Sequence, residues 1–333
     1  MAEKAIHDKI AQKGSHLLTV GRHQSGFKVG LDTSKNLTRI LKEKDRKVLF
    51  LDLEKAFDRV DRRRLIHILL QKAKTMQEKL IVNLLAEVLR PNRIHLGEHA
   101  ITDVRHGVPQ GGVLSPALFN VYLHEALTNH PVLENLIKGN RLLAYADDLA
   151  IIINHEDEVR SILEALDTLR PWGLKVNKEK SELLAAMKDE ERQEVHGIRL
   201  TSTVKYLGLH IHKDQKETLA LARANVKKYL HMIKGRLRYL ETGPKEELLG
   251  AYARSLLIYH ATPLRAANII NEKQVEAWER ELFRDMFLLP KDLKRSAIVN
   301  LARHRRPAVE VVRERAIRAG LAADDQPQLP QGW

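Results

Sequence analysis

Leu142 to Ile153, LLAYADDLAIII, sets two adjacent aspartates between two short apolar runs. Runs this short and this continuous in Leu, Ala and Ile fit strands buried on both faces, and the acidic pair falls where the chain must turn. The stretch reads as a β-hairpin with Asp147 and Asp148 at its turn. Earlier in the chain, Lys47 to Leu53, KVLFLDL, is another such run, and Asp52 follows its VLFL. A carboxylate beside a buried strand is costly unless it is paired or holds a cation. Were the two strands neighbours in one sheet, three carboxylates would meet, and a pair of Mg²⁺ ions is the natural ligand for charges that close. Two metals about 3.5–4 Å apart can activate a 3′-hydroxyl and stabilise a departing pyrophosphate. Taken singly, Asp147-Asp148 also reads as a turn-former and Asp52 as a strand-end residue.

Around these strands the sequence alternates in character. His23 to Ser34, HQSGFKVGLDTS, is loop-like. RRRLIHILLQKAK and EKLIVNLLAEVL carry Leu and Ile at helical spacing. RIHLGEHAITDV, Arg93 to Val104, reads as a hairpin turning at Gly97. GVPQGGVLSP is a glycine-rich loop, and the helix after it starts near Pro116 with Ser115 as N-cap. Glu156 to Arg170 reads as a helix ended by PWG. LKVN and KSELLAAM suggest two strands, and IRLTSTVKYLGLHI, Ile198 to Ile211, a further hairpin. From about Lys213 the chain turns to long helices, broken at Gly243-Pro244 and again at Pro290. The tail DDQPQLPQGW reads as disordered.

The 333 residues include 56 Lys and Arg against 43 Asp and Glu, a formal charge of +13. That excess suits a polyanionic partner, whose counterions are released on binding, although a basic chain also serves a membrane surface or plain solubility. With no cysteine, the chain holds no disulfide, thiolate zinc site or cysteine nucleophile. The opening MAEKAIHDKIAQKG lacks an apolar signal region and no run is long enough to span a membrane. The expectation is a soluble, intracellular protein without a membrane partner. The 16 histidines show no zinc-ligand spacing.

Three segments in order, DLEKAFDRV (Asp52 to Val60), GVPQGGVLSPALFN (Gly107 to Asn120) and YADD (Tyr145 to Asp148), closely resemble the palm motifs of reverse transcriptases, particularly the non-LTR retrotransposon and group II intron branch. Flanking strings add to the likeness. HQSGFKVGLDTS resembles the fingers motif before the first aspartate, GLKVNKEKSE the motif after YADD, and KYLGLHI the primer-grip hairpin. The likeness runs over roughly residues 20 to 300. It implies an α+β right-hand polymerase: partial fingers over 1–47, an antiparallel-sheet palm over 48–212 with fingers-side helices and a hairpin about 62–104, a helical thumb over 213–320, and the tail 321–333.

The same resemblance implies roles. Asp52, Asp147 and Asp148 would be catalytic, and with Leu53 would hold two Mg²⁺, Mn²⁺ being a possible substitute. Phe57 matches a steric gate that excludes a 2′-hydroxyl. Gln110 and Gly111, with Gly112, match a loop lining the incoming nucleotide. Lys28 stands where an Arg is usual, keeping charge without the bidentate fork, and Lys180 matches a lysine that contacts pyrophosphate. Tyr206, Leu207 and Gly208 match the primer grip. The implied partners are an RNA template, a DNA or RNA primer and dNTPs, with a separate endonuclease or element RNA as further possibilities. A nuclear location follows if the source is a eukaryotic retroelement. Basic runs at Arg62-Arg63-Arg64, Lys227-Lys228 and Lys234 to Arg238 are candidates for tracking a duplex, the last two more so. About twenty residues precede the QSGF-like segment, and the basic Arg-Pro element usual in the family is not among them. The rival expectations are a truncated, inactive RNA-binding remnant and an RNA-dependent RNA polymerase. The size of Phe57 speaks against the latter.

Overall fold

The computed structural model describes residues 2–28, 32–43, 45–90, 92–96, 100–104, 106–109, 111–185, 193–234, 241–289 and 306–323. The front elements are α1 (Ala2–Lys13), α2 (Thr33–Lys42), β1 (Lys47–Leu53), α3 (Arg62–Lys72), α4 (Met76–Val88), β2 (Asn92–Leu96) and β3 (Ala100–Val104). There follow α5 (Ser115–Thr128), α6 (Pro131–Lys138), β4 (Leu142–Tyr145), β5 (Asp148–Ile153), α7 (Glu158–Asp167), β6 (Val176–Leu184), β7 (Glu194–Val195) and β8 (Ile198–Thr201). The rear holds β9 (Thr203–Tyr206), β10 (Leu209–His212), α8 (Gln215–Lys234), α9 (Thr242–Leu248), α10 (Ser255–Ala266), α11 (Glu272–Phe287) and α12 (Ala308–Ala323). The chain divides into two compact units, residues 1–30 with 46–201, and 31–45 with 202–333. The architecture is mixed α+β, with a mostly antiparallel sheet and surrounding helices.

The first unit is built on a six-stranded sheet in the order β4-β5-β1-β6-β8-β7. Only β6 and β8 run parallel among these neighbours. β1 has a strand on each edge and is buried along nearly its whole length, as its unbroken apolar run requires. Alternation along the strands sends Leu49, Leu51 and Leu53, with Leu149, Ile151 and Ile153, into one core with side chains of α3 to α7. Each such fully buried Leu or Ile contributes about 1.5–3 kcal/mol relative to exposure. The two helices expected from leucine spacing form as α3 and α4. Thr75 and Glu78 close a capping box on α4. The expected hairpin forms as β2 and β3, its turn at Gly97 lying outside the described residues.

Three local expectations are corrected. LKVN and KSELLAAM do not make two strands; Val176–Leu184 is one strand with a register shift opposite Phe50 and Asp52. Ile198 to Ile211 is not one hairpin, because β8 joins the main sheet beside β6 and only β9 and β10 pair with each other. Ser115 is the first helical residue of α5 rather than its cap. Its hydroxyl donates to the Pro109 carbonyl at 2.5 Å, so the group is spent on the preceding loop.

In the second unit the hairpin β9–β10 accompanies α2 and α8 to α12. α10 packs on α2, α8, α11 and α12, and Leu257, Leu264 and Trp278 are buried there. Gly243-Pro244 sits in the first turn of α9, where a proline lacks only a donor that would be unpaired. A π-helical turn, Leu249–Arg254, runs into α10. Pro290 and the tail from Asp324 lie outside the described residues.

Candidate active site

The β1–β5 register pairs Leu51 with Leu149. In antiparallel strands the next residues outward are Asp52 and Asp148. Tyr145 pairs with Asp148 to close the β4–β5 hairpin, leaving Ala146 and Asp147 as its two-residue turn. Ala146 has φ 55°, a left-handed value that costs an L-residue roughly 1–2 kcal/mol. The three aspartates therefore gather at one end of the central strands.

Their electrostatics agree with that placement. Burial pushes the Asp148 carboxyl up to about 6, with Asp147 and Asp52 adding to it. The residue as a whole is exposed, and the direction is what the two like-charged neighbours alone require. The Asp147 carboxyl is also raised, by burial first and then by Asp52, against a backbone hydrogen bond that lowers it. Hard oxygen donors that repel one another fit a divalent cation, which would relieve the repulsion. Among the described residues no three His, Asp or Glu side chains converge closely enough to hold one as they stand.

Beside Asp52, the bulge in β6 turns Lys178, Glu179 and Lys180 outward. The buried Ser181 hydroxyl donates to the Asn177 carbonyl at 2.7 Å and accepts from the Asp52 N–H at 3.3 Å. Lys180 is exposed on this bulge, one residue before the serine that contacts Asp52. Glu54 accepts from Lys175 at 2.8 Å and Arg59 at 3.3 Å, and these partners hold its carboxyl below the usual range.

The segment after Asp52 is latched to the glycine-rich loop. Val108 N–H donates to Phe57 C=O at 3.0 Å and Gly107 N–H to Val60 C=O at 2.8 Å. A Cβ on Gly107, at φ 81°, would meet the Asp58 backbone at 2.9 Å, so only glycine allows this approach. Phe57 is half-buried and stacks on Phe119 with ring centroids 4.1 Å apart. Gly111 has φ 77° with open space where a Cβ would stand. Gln110 lies outside the described residues.

The basic runs are less available than their sequence suggests. Arg62 donates to the Gly107 and Leu89 carbonyls at 2.6 and 3.0 Å. Arg64 donates to Pro171 C=O at 3.0 Å and lies 4.5 Å from the Trp172 ring centroid. Both are internal ties rather than free charges. Lys227 pairs with Glu281 at 2.6 Å. Residues 235–238 of the last run lie outside the described residues. Lys28 donates to the Val20 and Gly21 carbonyls at 3.1 and 2.9 Å.

Tyr206, Leu207 and Gly208 belong to the second unit. Leu207 at φ 45° and Gly208 at φ 80° form the two-residue turn of β9–β10, the doubly left-handed geometry that suits such hairpins. Tyr259 donates its hydroxyl to the Leu207 carbonyl, and the buried Tyr206 hydroxyl accepts from Asn36 at 3.4 Å.

Sequence reading missed the support of the Ala146–Asp147 turn. Gln24 bridges to Ala144, with Ser25 N–H donating to Ala144 C=O at 2.9 Å and Ala144 N–H to His23 C=O at 2.8 Å. The Gln24 side chain reaches both backbone groups of Ala146. Asn120 on α5 donates to Gly26 C=O at 2.8 Å. The apolar run marked the strands, but nothing in it told which distant segment would hold their turn. Tyr122 was missed too; it is fully buried, donates to Trp172 C=O at 2.7 Å and has its hydroxyl pKa raised by that burial.

Residues 1–211 match the family described as "Reverse transcriptase (RNA-dependent DNA polymerase)". The RNA-directed DNA polymerase from mobile element jockey of Drosophila funebris is 25% identical over 193 residues, 53% of this chain and 20% of that protein. The probable RNA-directed DNA polymerase from transposon X-element of Drosophila melanogaster is 31% identical over 180 residues, 48% of this chain and 19% of that protein. The chain thus matches about a fifth of the length of these relatives. Among solved structures, a C-terminally truncated apo telomerase from Candida tropicalis is 15% identical over 63% of this chain and 43% of that one, with a TM-score of 0.46. With the family match covering most of its length and the aspartates of YADD beside that of β1, this chain belongs to the reverse transcriptase family.

Proposed function

We propose that this chain adds dNTPs to a primer 3′ end on an RNA template. The observation that carries this reading is the β1–β5 register, which sets Asp52 beside Asp148 with Asp147 on the adjoining turn. In this reading the first unit is a palm with its fingers-side elements and the second contains the thumb. Asp52, Asp147 and Asp148, with Leu53, would hold two Mg²⁺ or Mn²⁺ ions. Bound there, such ions would lower the pKa of the attacking hydroxyl and neutralise charge on the leaving pyrophosphate. The raised carboxyls of Asp147 and Asp148 support this, because a cation among them would relieve the repulsion.

The chain's own residues would orient and select. Phe57, braced by Phe119, would present its ring under the sugar, where an added 2′-hydroxyl would clash. Gly111, with Gln110, would line the nucleotide, the open space at Gly111 allowing close backbone approach. Lys180 would meet the pyrophosphate from the bulge beside Asp52. Lys28 would serve the triphosphate only after leaving the Val20 and Gly21 carbonyls. Tyr206, Leu207 and Gly208 would place the primer end through their rigid turn. The partners are then an RNA template, a primer and dNTPs, with strand cleavage left to another protein or domain.

A second reading is an RNA-binding remnant without catalysis, favoured by the lack of a converged metal-ligand group among the described residues. Primer extension on an RNA template, run in parallel with dNTPs and with rNTPs, separates the readings. Extension with dNTPs supports the reverse transcriptase. Extension with rNTPs alone would indicate an RNA-dependent RNA polymerase, and RNA binding without extension the remnant.

A further inference from the structure

The turn that carries Asp147 is held by a distant segment. Ala146 takes φ 55°, a conformation usually given to Gly, Asn or Asp. Gln24, distant in sequence and only 1% exposed, lies against it. Its Oε1 accepts from Ala146 N–H at 3.0 Å and its Nε2 donates to Ala146 C=O at 3.2 Å. The same Oε1 accepts from Gly26 N–H at 2.9 Å, which fixes the amide's orientation. A buried amide so paired is rigid, because losing any one bond leaves a desolvated polar group. The approach is close enough to exclude a side chain on the other partner, since a Cβ on Gly26 would stand 2.6 Å from the Ala146 nitrogen. Asn120 of α5 then ties Gly26 C=O to the helical layer at 2.8 Å.

We propose that Gln24 is a positioning residue for the reacting carboxylates, its side-chain amide clamping both backbone groups of Ala146 and so fixing where Asp147 and Asp148 leave the turn. The role rests on the polymerase reading, but the clamp itself does not. Gln24 touches neither nucleotide nor primer in this account. It acts on the rate of the chemical step through the geometry of the turn, and displacements of about 1 Å in such a group cost on the order of a hundredfold.

The test uses Gln24→Met, which keeps the volume and removes the side-chain hydrogen bonds, and Gly26→Ala, which pushes on the same contact from the other partner. Two readouts are taken on the full chain: exchange of the Ala146 amide hydrogen, and the rate of single dNTP addition together with the affinity for template–primer and for dNTP. In the wild type the Ala146 amide should be protected, and Q24M should lose that protection. Both variants should slow single-nucleotide addition roughly ten- to a hundredfold while both affinities stay within about twofold. A purely structural role would instead lower affinities and folding together. Should Q24M fail to fold at the assay temperature, G26A decides. An Ala146 amide equally protected in Q24M would overturn the clamp, and wild-type addition rates in the folded variants would overturn the positioning role. A wild-type chain that does not extend would sink the polymerase reading and the role with it, leaving the exchange result to judge the clamp.

Discussion

Leu51 faces Leu149 across β1 and β5, and one step further out Asp52 and Asp148 stand on neighbouring strands. Two apolar side chains thus set the register that brings acidic ones together. A slip of one residue would turn each side chain to the opposite face of the sheet. The register is therefore held by the core, and the core pays for the repulsion it creates.

That repulsion has a sign that can be measured. Asp148→Asn should raise the Tm of the metal-free chain, with a gain below about 1 kcal/mol because the residue is exposed and solvent screens it. Millimolar Mg²⁺ should stabilise the wild type, by about 1.4 kcal/mol at tenfold over the dissociation constant. The same addition should leave Asp52→Asn unmoved. Equal responses to Mg²⁺ in wild type and D52N would remove these carboxylates from any metal site.

Phe57 rests on Phe119 at 4.1 Å between centroids. Phe57→Val should lower discrimination against rNTPs by roughly tenfold or more, as expected when a steric contact in the transition state is removed. Loss of the stacked ring should also cost about 0.5–1.5 kcal/mol in urea unfolding. Unaltered nucleotide selectivity in a folded F57V chain would leave Phe57 as core alone.

Gly173 ends the turn after α7 with φ 74°, and a Cβ there would stand 2.4 Å from the Arg59 carbonyl oxygen. Gly173→Ala should destabilise the chain by about 2 kcal/mol or more, since both the conformation and the space oppose it. The check is the urea midpoint. A midpoint unchanged from wild type would mean that the close approach of Gly173 to the segment after Asp52 is not a constraint on the fold.

His260, in the second unit, is 1% exposed, and burial drives its pKa down from 6.5 to about 4, with His210 adding to the shift. Asn225 lies 3.1 Å from its Nε2, fitting a neutral ring that accepts there. A depressed histidine destabilises the folded state in acid, because the unfolded chain takes up the proton first. This contribution should be constant above about pH 6.5 and lost progressively down to about pH 4, at most about 3 kcal/mol in all. His260→Gln should flatten that part of the pH profile. An identical profile in the variant would place the acid sensitivity elsewhere.

The strands were legible because their apolar runs are buried. Val48 to Leu51 and Leu149 to Ile153 are unbroken apolar stretches, and the structure surrounds them accordingly. The acidic residues at their ends were legible for the opposite reason, being costly there. What sequence could not reveal depends on contacts between distant segments. The clamp of Gln24 on Ala146 spans most of the first unit, and the outward bulge of β6 depends on a serine hydroxyl. Arg62 and Arg64 look like free charge in a run of three, but carbonyls left over at loop ends absorb them. Residues 31–45 group with residues 202–333, which no local pattern announces.

The most direct test of the central claim is primer extension by the purified chain on an RNA template with dNTPs, beside Asp147→Ala. The wild type should extend the primer and the variant should not, with equal far-UV circular dichroism showing that both are folded. Extension that persists in D147A would contradict the assignment of the reaction to these carboxylates, and no extension by a folded wild type would contradict the polymerase itself.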